Sequence, residues 1–356
     1  DIDRSRGLGD VYKRQPDGLW GSKTGAFFNF DIGDAEDNDA LDLTTAIGEI
    51  NTIRHIISNK DLHVFTSTDE FIIPALQGQV TTPTNASIER QTSFGSSFLR
   101  PYIYDGATVF VDSSGSMVRE FIFTDAVKGY TGNSISTLSS HLIKTPVQMA
   151  MLSGAIGRAE NYLFIVDADG TLAVFNSNRV EKRAGYTQFT SQGSFHSVCV
   201  IDTHVYAVVK FDKGDGTNKY FLVEFDNSFN MDLAKTYSGS NGVFNVSSDF
   251  ANGAVVDVVN GTFYLGSFTV SGGNVDVSSV DSALSSAEIG FKFNVNLVTN
   301  PIDAQVADGP LTSEPRTVQR VVLDLNNTLS VNVNNNELII RQVTDDFSLA
   351  RTPVTG

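Results

Sequence analysis

The sequence contains few of the residues that form covalent or metal-bound sites. One cysteine among 356 residues excludes an intrachain disulfide and any zinc site that needs several cysteines. That residue, Cys199, lies in the apolar segment HSVCVI, which predicts a buried and unreactive thiol. The histidines are scattered and have no HExxH or similar ligand spacing, so we expect structural or surface roles for His55, His63, His141, His196 and His204.

Catalytic motifs are also missing from the sequence. The single tryptophan, Trp20, excludes the repeated Ser-x-Asp-x-Gly-x-x-Trp boxes of sialidase-type propellers. The segment GSFHS has Phe195 where a nucleophile elbow needs serine, and GSKTG at residues 21–25 lacks the spacing of a phosphate loop. These absences predict a protein that is not an enzyme, with no catalytic, cofactor-binding or metal-binding residues.

Long apolar runs and an excess of bases are absent too. No stretch of 18 apolar residues occurs, which predicts no membrane span. The chain has 25 bases against 41 acids, a poor composition for holding nucleic acid through its phosphates. Hydrophobic residues make up 41% of the chain and include 25 phenylalanines, enough for a substantial core.

The first fifteen residues differ in charge from the rest of the chain. They contain four bases and three acids, so residues 16–356 hold 21 bases and 38 acids, a net charge of −17. The segment has no apolar run of a signal peptide, and Asp10–Gln15 back-translates as GAT GTG TAT AAG AGA CAG, which looks like a transposon end from library preparation. We expect residues 1–15 to be non-native and to pack against nothing specific. A cut is also expected at the other end, where ARTPVTG provides no capping element.

Short β-type segments recur along the chain. DLHVFT, GATVFV, NYLFIV, DTHVYA and NGTFYL each follow a polar turn, and their aromatic residues are separated by 45, 54, 42 and 58 positions. Spacings of roughly 40–50 residues are typical of propeller blades. Hairpin recurrence in a sandwich is the alternative. The aromatic residues of the repeat are Phe65, Phe110, Phe164, Tyr206 and Tyr264, of which Phe110, Phe164 and Tyr206 are expected to face a sheet core.

Turn and helix signals complete the prediction. Asp and Gly residues predict hairpin turns at 112–115, 167–170 and 212–216, and DADG at 167–170 is interpreted as a turn rather than a calcium loop because the later ligands are missing. NSISTLSSHLI, with Ile135, Leu138 and Leu142 on one face, predicts a capped helix of about three turns. The clustered acids Asp34, Glu36, Asp37 and Asp39 could bind a cation, but the first turn of another helix is the simpler prediction, because the helix dipole favours acids there.

Together these patterns predict an all-β chain with minor helix: an irregular, propeller-like set of antiparallel blades followed by a smaller β-domain. We assign residues 16–60 to a connecting segment, 61–240 to the blades and 241–356 to the distal β-domain. In the last region, residues 318–323 alternate without a polar face, which favours a strand covered on both sides, for example by a neighbouring subunit.

From Trp20 onward the sequence resembles the tail nozzle proteins of short-tailed bacteriophages, also called tail tubular protein B or stabilisation proteins. The resemblance covers most of residues 20–356, and one difference is Tyr186, where many relatives have tryptophan. The segments that carry it, in order, are GAFFNF, EDNDAL, INTIRHIISNKDLHVFTSTDEFII, QTSFGSS, DGATVFVDSSGSMVREFIFTD, GYTGNSISTLSSHLI, LFIVDADGTLAVFNSNRVEKRAGYTQFTSQGSFHSVCVI, EIGFKFNVNLVTNPI and GPLTSEPRTVQRVVLDL.

The resemblance implies a structural role in a virion. Such proteins form a homo-oligomeric ring, typically a hexamer, at the distal end of the tail and contribute no catalytic residues. The implied partners are an upstream tail tube or adaptor protein, tail fibres or spikes, and double-stranded DNA that passes through without specific binding. The implied location is the phage tail, after synthesis in the host cytoplasm.

Two other classes of function stay open from the residues alone. A carbohydrate-binding or carbohydrate-processing propeller would bring carboxylates and exposed aromatic side chains together in one pocket. A cellular protein-interaction propeller would form a closed monomeric ring of nearly equal blades. For the nozzle, the acidic excess predicts a channel wall lined by carboxylates that repels DNA; the simpler reading is that the acids maintain solubility over the whole surface.

Overall fold

A computed structural model describes residues 16–34, 36–45, 51–75, 81–154, 160–181, 183–212, 218–226, 228–299, 305–306, 309–310, 318–325, 328 and 330–338. Residues 1–15 and the predicted turn tip after Asp212 lie outside this part of the chain. The described residues are all-β apart from one 3₁₀ helix, Thr137–Leu142. The chain divides into two compact units, Asp1–Lys210 with Tyr220–Phe225 and Phe211–Lys219 with Asp226–Gly356.

The first unit begins with a two-stranded ribbon, followed by antiparallel sheets formed in chain order. The ribbon strands are β1 and β2, Gly18–Gly21 and Leu41–Thr44. The first sheet contains β3 to β6, Ile53–Ser58, Leu62–Thr66, Glu70–Ile73 and Glu89–Thr92. The second contains β7 to β10, Tyr102–Tyr104, Ala107–Val111, Val118–Thr124 and Gly129–Ser134. The third contains β11 to β14, Pro146–Leu152, Asn161–Asp167, Leu172–Asn178 and Arg183–Phe189. The fourth contains β15 to β17, Ser194–Ile201, His204–Asp212 and Asn218–Glu224.

The predicted repeat is confirmed for four of its five segments. Strands β4, β8, β12 and β16 each form the second strand of one sheet, and each contains one of the aromatic segments. This equivalence gives the first unit its propeller-like order of successive antiparallel sheets. Phe65 and Phe110 are fully buried and Phe164 is 5% exposed, whereas Tyr206 is half-buried.

Successive sheets stack through alternating side chains. Val64 packs with the ribbon, whereas its neighbour Phe65 packs with Phe110 of the second sheet. In the third sheet, Leu163 packs towards the second sheet and Phe164 towards Phe225, which follows the fourth sheet. Consecutive residues of a strand point to opposite faces of its sheet. Two neighbouring residues of the second strand therefore pack against the preceding and the following layer, respectively. The result is an ordered stack: ribbon, first, second, third and fourth sheets.

A five-residue pattern, Thr-Ser-x-Gly-Ser, forms the connection after two of the sheets. It occupies residues 92–96 after β6 and residues 190–194 after β14. In the first case the Ser96 N–H donates to the Thr66 carbonyl (2.8 Å), and in the second the Phe195 N–H donates to the Gly170 carbonyl (2.8 Å). Both bonds fasten the outgoing chain to the central hairpin of the sheet it leaves. We call residues 92–96 and 190–194 the joints.

Two predicted hairpin turns are confirmed. The Gly115 N–H donates to the Asp112 carbonyl (3.0 Å), and the Gly170 N–H donates to the Asp167 carbonyl (2.9 Å). Both glycines have positive φ, 70° and 83°, which a residue with a Cβ rarely adopts. These turns could be predicted from the sequence because Asp and Gly favour a local backbone conformation that does not depend on tertiary contacts.

The predicted three-turn helix is wrong in type and length. Residues 137–142 form a short 3₁₀ helix, and Leu138, expected on its buried face, is 95% exposed. Ser136 does not cap the helix with its side chain; its Oγ accepts the Val118 N–H at 3.0 Å. The serine thus stabilises the adjoining strand, whereas Ile135 and Leu142 contact the core between the second and third sheets.

The second unit contains β18 to β23, which are Asp232–Ser240, Val243–Asn245, Val255–Asn260, Phe263–Thr269, Asn274–Asp276 and Ser286–Phe291. They form a six-stranded sheet in the order β21-β20-β23-β18-β19-β22. Two short ribbons follow, β24 with β25 (Gln305–Val306, Gly309–Pro310) and β26 with β27 (Val331–Val333, Asn336–Leu338). The fifth aromatic segment lies in β21, at the edge of this sheet, so it does not form a further blade. Sequence spacing missed this because it does not report pairing order.

The predicted domain limits differ from the pairing of strands. A boundary at 240/241 would separate β18 from β19, which pair directly through Ser240 and Val243. The predicted connecting segment 16–60 contains β3, which belongs to the first sheet. The predicted strand at 318–323 is also absent from residues 318–325, where Val318 and Val322 are 60% and 68% exposed. A strand needs a pairing partner, and among the described residues none pairs with this segment.

Candidate interaction surfaces

The histidines serve packing and surface contacts in the described part of the chain. His63 is fully buried, with its Nδ1 2.9 Å from the Thr108 hydroxyl and its ring edge-on to Phe121 and Tyr130. Burial lowers the pKa of His63 to about 4, so this ring is neutral at physiological pH. Burial also lowers the pKa of half-buried His55.

The carboxylates of the DADG turn accept hydrogen bonds from other groups of the protein. Asp167 accepts the Thr145 N–H (3.1 Å), and Asp169 accepts the Thr171 hydroxyl (2.6 Å) and the Lys144 ammonium. The Lys144 hydrogen bond lowers the pKa of Asp169 to about 2. These contacts support the interpretation as a turn. Within the residues that the structure describes, no three His, Cys, Asp or Glu side chains form a group able to hold a metal ion.

A buried carboxyl group lies at the first joint. Glu70 is fully buried, and its Oε2 accepts the Thr92 hydroxyl (2.5 Å) and the Phe94 N–H (3.2 Å). Burial raises the pKa of Glu70. The Arg119 guanidinium of the second sheet stacks over the Phe94 ring, 3.7 Å from its centroid. Glu70 therefore holds the joint to the first sheet, and Arg119 holds it to the second.

A cavity of about 330 Å³ lies between the ribbon and the first sheet. Its lining is mainly apolar and includes Trp20, which is 42% exposed. The carboxylate beside it, Asp61, accepts the Ala75 N–H through Oδ1 (2.9 Å) and the Tyr130 hydroxyl through Oδ2 (2.7 Å). Asp61 is the one carboxylate in the described lining of this cavity, and both of its oxygens accept hydrogen bonds from the protein.

The acidic cluster belongs to a loop, so the predicted helix start at Asp34 to Asp39 is wrong. Lys23 of the GSKTG segment pairs with Asp39 (2.9 Å), and Asp39 also accepts the Glu36 N–H (2.9 Å). These hydrogen bonds raise the pKa of Lys23 and lower that of Asp39. The acids thus close a loop around one lysine, and the chain continues directly into β2. Sequence spacing alone could not distinguish this closure from a helix start.

The same loop presents aromatic side chains to solvent. Residues 25–34, which we call the aromatic loop, expose 79% of Phe27, 97% of Phe28 and 53% of Phe30. The loop conformation is nonetheless specified: the Lys23 N–H donates to the Asn29 carbonyl (2.8 Å), and the Asn29 N–H donates to the Ala26 carbonyl (2.9 Å). A fixed loop that holds adjacent phenylalanines in water is typical of a binding surface. The signal was present as Phe-Phe beside Gly and Asn, which predict a turn.

A second apolar surface lies on the fourth sheet. Its inner face, with Val198 and Ala207, is buried, whereas its outer face carries exposed Ile201 (58%), Tyr220 (59%) and Leu222 (74%). The prediction that Tyr206 faces a sheet core is wrong, because this half-buried residue pairs with Cys199 and lies on the outer face, whereas its neighbours Val205 and Ala207 are buried. We call this surface, comprising Cys199, Ile201, Tyr206, Tyr220 and Leu222, the end face.

The predicted burial of Cys199 is wrong, because the thiol is exposed. In HSVCVI, Val198 and Val200 point inward, so the strand alternation places Cys199 on the end face. Successive apolar residues in a strand point to both faces of the sheet. They are all buried only when other parts of the protein cover both faces. Here one face has no cover among the described residues of the chain.

Comparisons with known proteins leave the function open. No family model matches the chain, and no curated protein matches it. Among solved structures, a chain described as BBS1N in complex with ARL6DN, soaked with lead, aligns over 77% of this chain and 91% of its own length, with 12% identity and a TM-score of 0.28. A likeness this weak carries no argument, so the assignment of fold rests on the sheets themselves. No described helix has the length and hydropathy to cross a membrane.

Proposed function

We propose that this protein is a structural component of a short-tailed bacteriophage tail and forms the distal nozzle ring. In this role the ring continues the DNA channel, joins an upstream tail tube or adaptor protein and docks tail fibres or spikes. The protein acts in the virion without catalysing a reaction.

The observation that carries the proposal is the structural position of the segments that resemble nozzle proteins. QTSFGSS contains the first joint, LFIVDADGTLAVF forms the central hairpin of the third sheet, and TSQGSF contains the second joint. These segments therefore specify how one sheet is connected to the next, the feature on which a shared architecture depends. Resemblance confined to exposed loops would have been weaker support.

Uncovered apolar surface supports an assembled state. The aromatic loop and the end face both expose large apolar side chains, and soluble monomers rarely expose such groups contiguously. A ring in which each copy contacts two neighbours would bury surfaces of this kind. The nozzle proposal accounts for them without requiring a ligand.

Native mass spectrometry of the full chain, combined with negative-stain electron microscopy, tests the proposal. We expect a closed ring of several copies, six by resemblance, with an axial opening wide enough for duplex DNA. A compact monomer at all concentrations would contradict the nozzle assignment. Glycan-array binding by such a monomer would favour a carbohydrate-binding propeller.

A further inference from the structure

The six-stranded sheet of the second unit contains the same arrangement of strands twice. Strands β18, β19 and β20 begin at residues 232, 243 and 255, and β21, β22 and β23 each begin 31 residues later, at 263, 274 and 286. The sequence repeats at the same offset, since GVFNVSS at 242–248 and GNVDVSS at 273–279 share Gly, Val and both Ser. We call residues 232–260 the first module and residues 263–291 the second module.

Two pairs of residues define a two-fold axis in this sheet. Phe244 pairs with Val275, and Val258 pairs with Ile289. In both pairs the partners are separated by the offset of the repeat, so each residue faces its own counterpart in the other module. All four side chains are fully buried. The axis therefore runs through the core of the second unit.

Strand pairs away from the axis occur twice, with the modules exchanged. Tyr237 of β18 pairs with Ala287 of β23, and its counterpart Phe268 of β21 pairs with Val256 of β20. Reciprocal pairing of this kind is the property of an isologous interface, in which the same surface is used by both partners. The second unit thus has the internal geometry of a symmetric dimer.

Backbone hydrogen bonds between the modules are reciprocal as well. The Val246 N–H donates to the Gly273 carbonyl (2.9 Å), and the Val277 N–H donates to the Gly242 carbonyl (2.8 Å). Both glycines have positive φ, 73° at Gly242 and 77° at Gly273. The same local backbone conformation therefore presents the same acceptor to the other module at both places.

We propose that residues 232–291 are two copies of one module that arose by internal duplication, and that each module carries a self-complementary surface whose partner is the other module. The order of strands shows how closely the two depend on each other: β20 lies between β21 and β23 of the second module, and β23 lies between β20 and β18 of the first. Neither module completes the sheet alone. This inference concerns the second unit and does not rest on the proposed ring.

Where the modules differ in the core, contacting residues differ together. Gly239 pairs with Phe244, and a Cβ on Gly239 would lie 2.6 Å from the phenylalanine ring. The counterparts in the second module are Val270 and Val275, a larger residue in place of glycine and a smaller one in place of phenylalanine. The two modules thus fill equivalent volumes by different divisions of the side chains, as a close-packed core requires.

A polar cluster differs between the modules in the same way. The Tyr237 hydroxyl donates to Asp249 Oδ2 (2.7 Å), and Lys235 Nζ lies 3.6 Å from the same oxygen. The second module has none of these polar groups at the counterpart positions, Gly266, Phe268 and Val280. Loss of the whole set is the expected form of divergence, because a buried hydroxyl or carboxylate left without its partner is destabilising.

A swap of segments in the full chain tests the two-fold relation. In the swapped variant, residues 239–245 (GSNGVFN) and 270–276 (VSGGNVD) change places, which includes Phe244→Val and Val275→Phe. A two-fold rotation maps this variant onto the wild-type arrangement, so phenylalanine still meets valine on the axis. Hydrogen exchange of the Val246 and Val277 amides, which bridge the modules, should stay within about tenfold of the wild-type rate, as for a volume-conserving change of core.

Two repeated variants are the matched controls. One has GSNGVFN at both places and brings two phenylalanines together on the axis, and the other has VSGGNVD at both places and leaves a cavity there. Each should accelerate exchange of the two amides at least about thirtyfold. Slower exchange in the swapped variant than in both repeated variants supports the module relation. A swapped variant that exchanges as fast as either repeated variant overturns it, and neither result depends on whether the nozzle ring forms.

Discussion

Phe164 is a single-residue test of the stacking between sheets. It is 5% exposed and lies against Phe225, with ring centroids 5.8 Å apart. Phe164→Ala should lower the free energy of unfolding by about 3–5 kcal/mol, because it removes a buried ring and leaves a cavity. Leu138→Ala, at a side chain that is 95% exposed, is the control and should change stability by less than about 0.5 kcal/mol. Urea denaturation measures both, and equal effects would contradict the packing described for Phe164.

Tyr186 carries a buried hydroxyl group that has no hydrogen-bond partner among the residues that the structure describes. Its ring stacks on Phe175 at a centroid distance of 4.6 Å, and burial raises its pKa. Tyr186→Phe keeps the ring and removes the unsatisfied hydroxyl, so we expect it to raise the free energy of unfolding by about 1 kcal/mol. Tyr104→Phe is the contrasting variant, because the Tyr104 hydroxyl donates to the Asn161 carbonyl (2.8 Å) and its loss should destabilise. Destabilisation by Tyr186→Phe would indicate a partner for the hydroxyl.

The buried imidazole of His63 links stability to pH. Its pKa is about 4 in the folded protein and 6.5 in the unfolded chain, so below pH 6.5 the unfolded state binds the proton more readily. The contribution of neutral His63 to the free energy of unfolding is fully present above about pH 6.5. As the pH falls towards 4, the protein loses about 3 kcal/mol of this stability. A His63→Gln variant should show a correspondingly smaller loss of stability between pH 7 and pH 4 than the wild type. The exposed His141→Gln control should follow the wild-type curve, and parallel curves for all three proteins would contradict the assignment.

At the scale of elements, the joints explain why glycine occurs where it does. Gly95 has φ of 68°, and a Cβ there would collide with the Ser67 carbonyl, whereas Gly115 has φ of 70° and open space around it. Gly115→Ala should therefore cost about 1 kcal/mol from backbone strain alone. Gly95→Ala should cost at least about 2 kcal/mol more, because the first joint must also shift. Thermal and urea unfolding of the two variants measures the difference, and equal losses would show that the close approach at Gly95 is unimportant.

The elements also show what the sequence could and could not predict. The second strands and the Asp-Gly turns were predictable because their signals are local: alternation, turn chemistry and spacing. Cys199 and Phe27 were not, because their exposure depends on whether another surface covers the strand or loop. The helix at 137–142 was mispredicted for a similar reason, since Ser136 was engaged by the Val118 N–H of a neighbouring strand. Pairing order in the six-stranded sheet has no local signature.

At the scale of the whole molecule, the net charge of −17 in residues 16–356 has a functional test. If carboxylates line the nozzle channel, duplex DNA should pass without being held, and gel-shift or fluorescence anisotropy should detect no binding at 150 mM salt even with the assembled ring. A control in which eight exposed acids are replaced by lysine should bind DNA with a steep salt dependence. Salt-sensitive binding by the wild-type protein would contradict the repulsive wall.

The position of the acidic residues distinguishes a channel wall that repels DNA from acids that only keep the protein soluble. The electrostatic potential along the axis of an assembled ring should be more negative than at its outer rim. A uniform potential would favour the solubility explanation, and an inner wall rich in lysine and arginine would contradict the channel hypothesis even if the ring formed.

The order of the sheets has a consequence for how the protein is made. Each of the first three sheets closes within one continuous stretch of chain, residues 53–92, 102–134 and 146–189. Short loops close at low entropic cost, so each sheet can form as soon as the ribosome has released its last strand. Every finished sheet then offers an apolar face on which the next can nucleate. The six-stranded sheet differs, because β18 pairs with β23 and must wait for residue 291 to be synthesised. Nascent chains should therefore acquire protease resistance stepwise through the first unit and in one late step through the second.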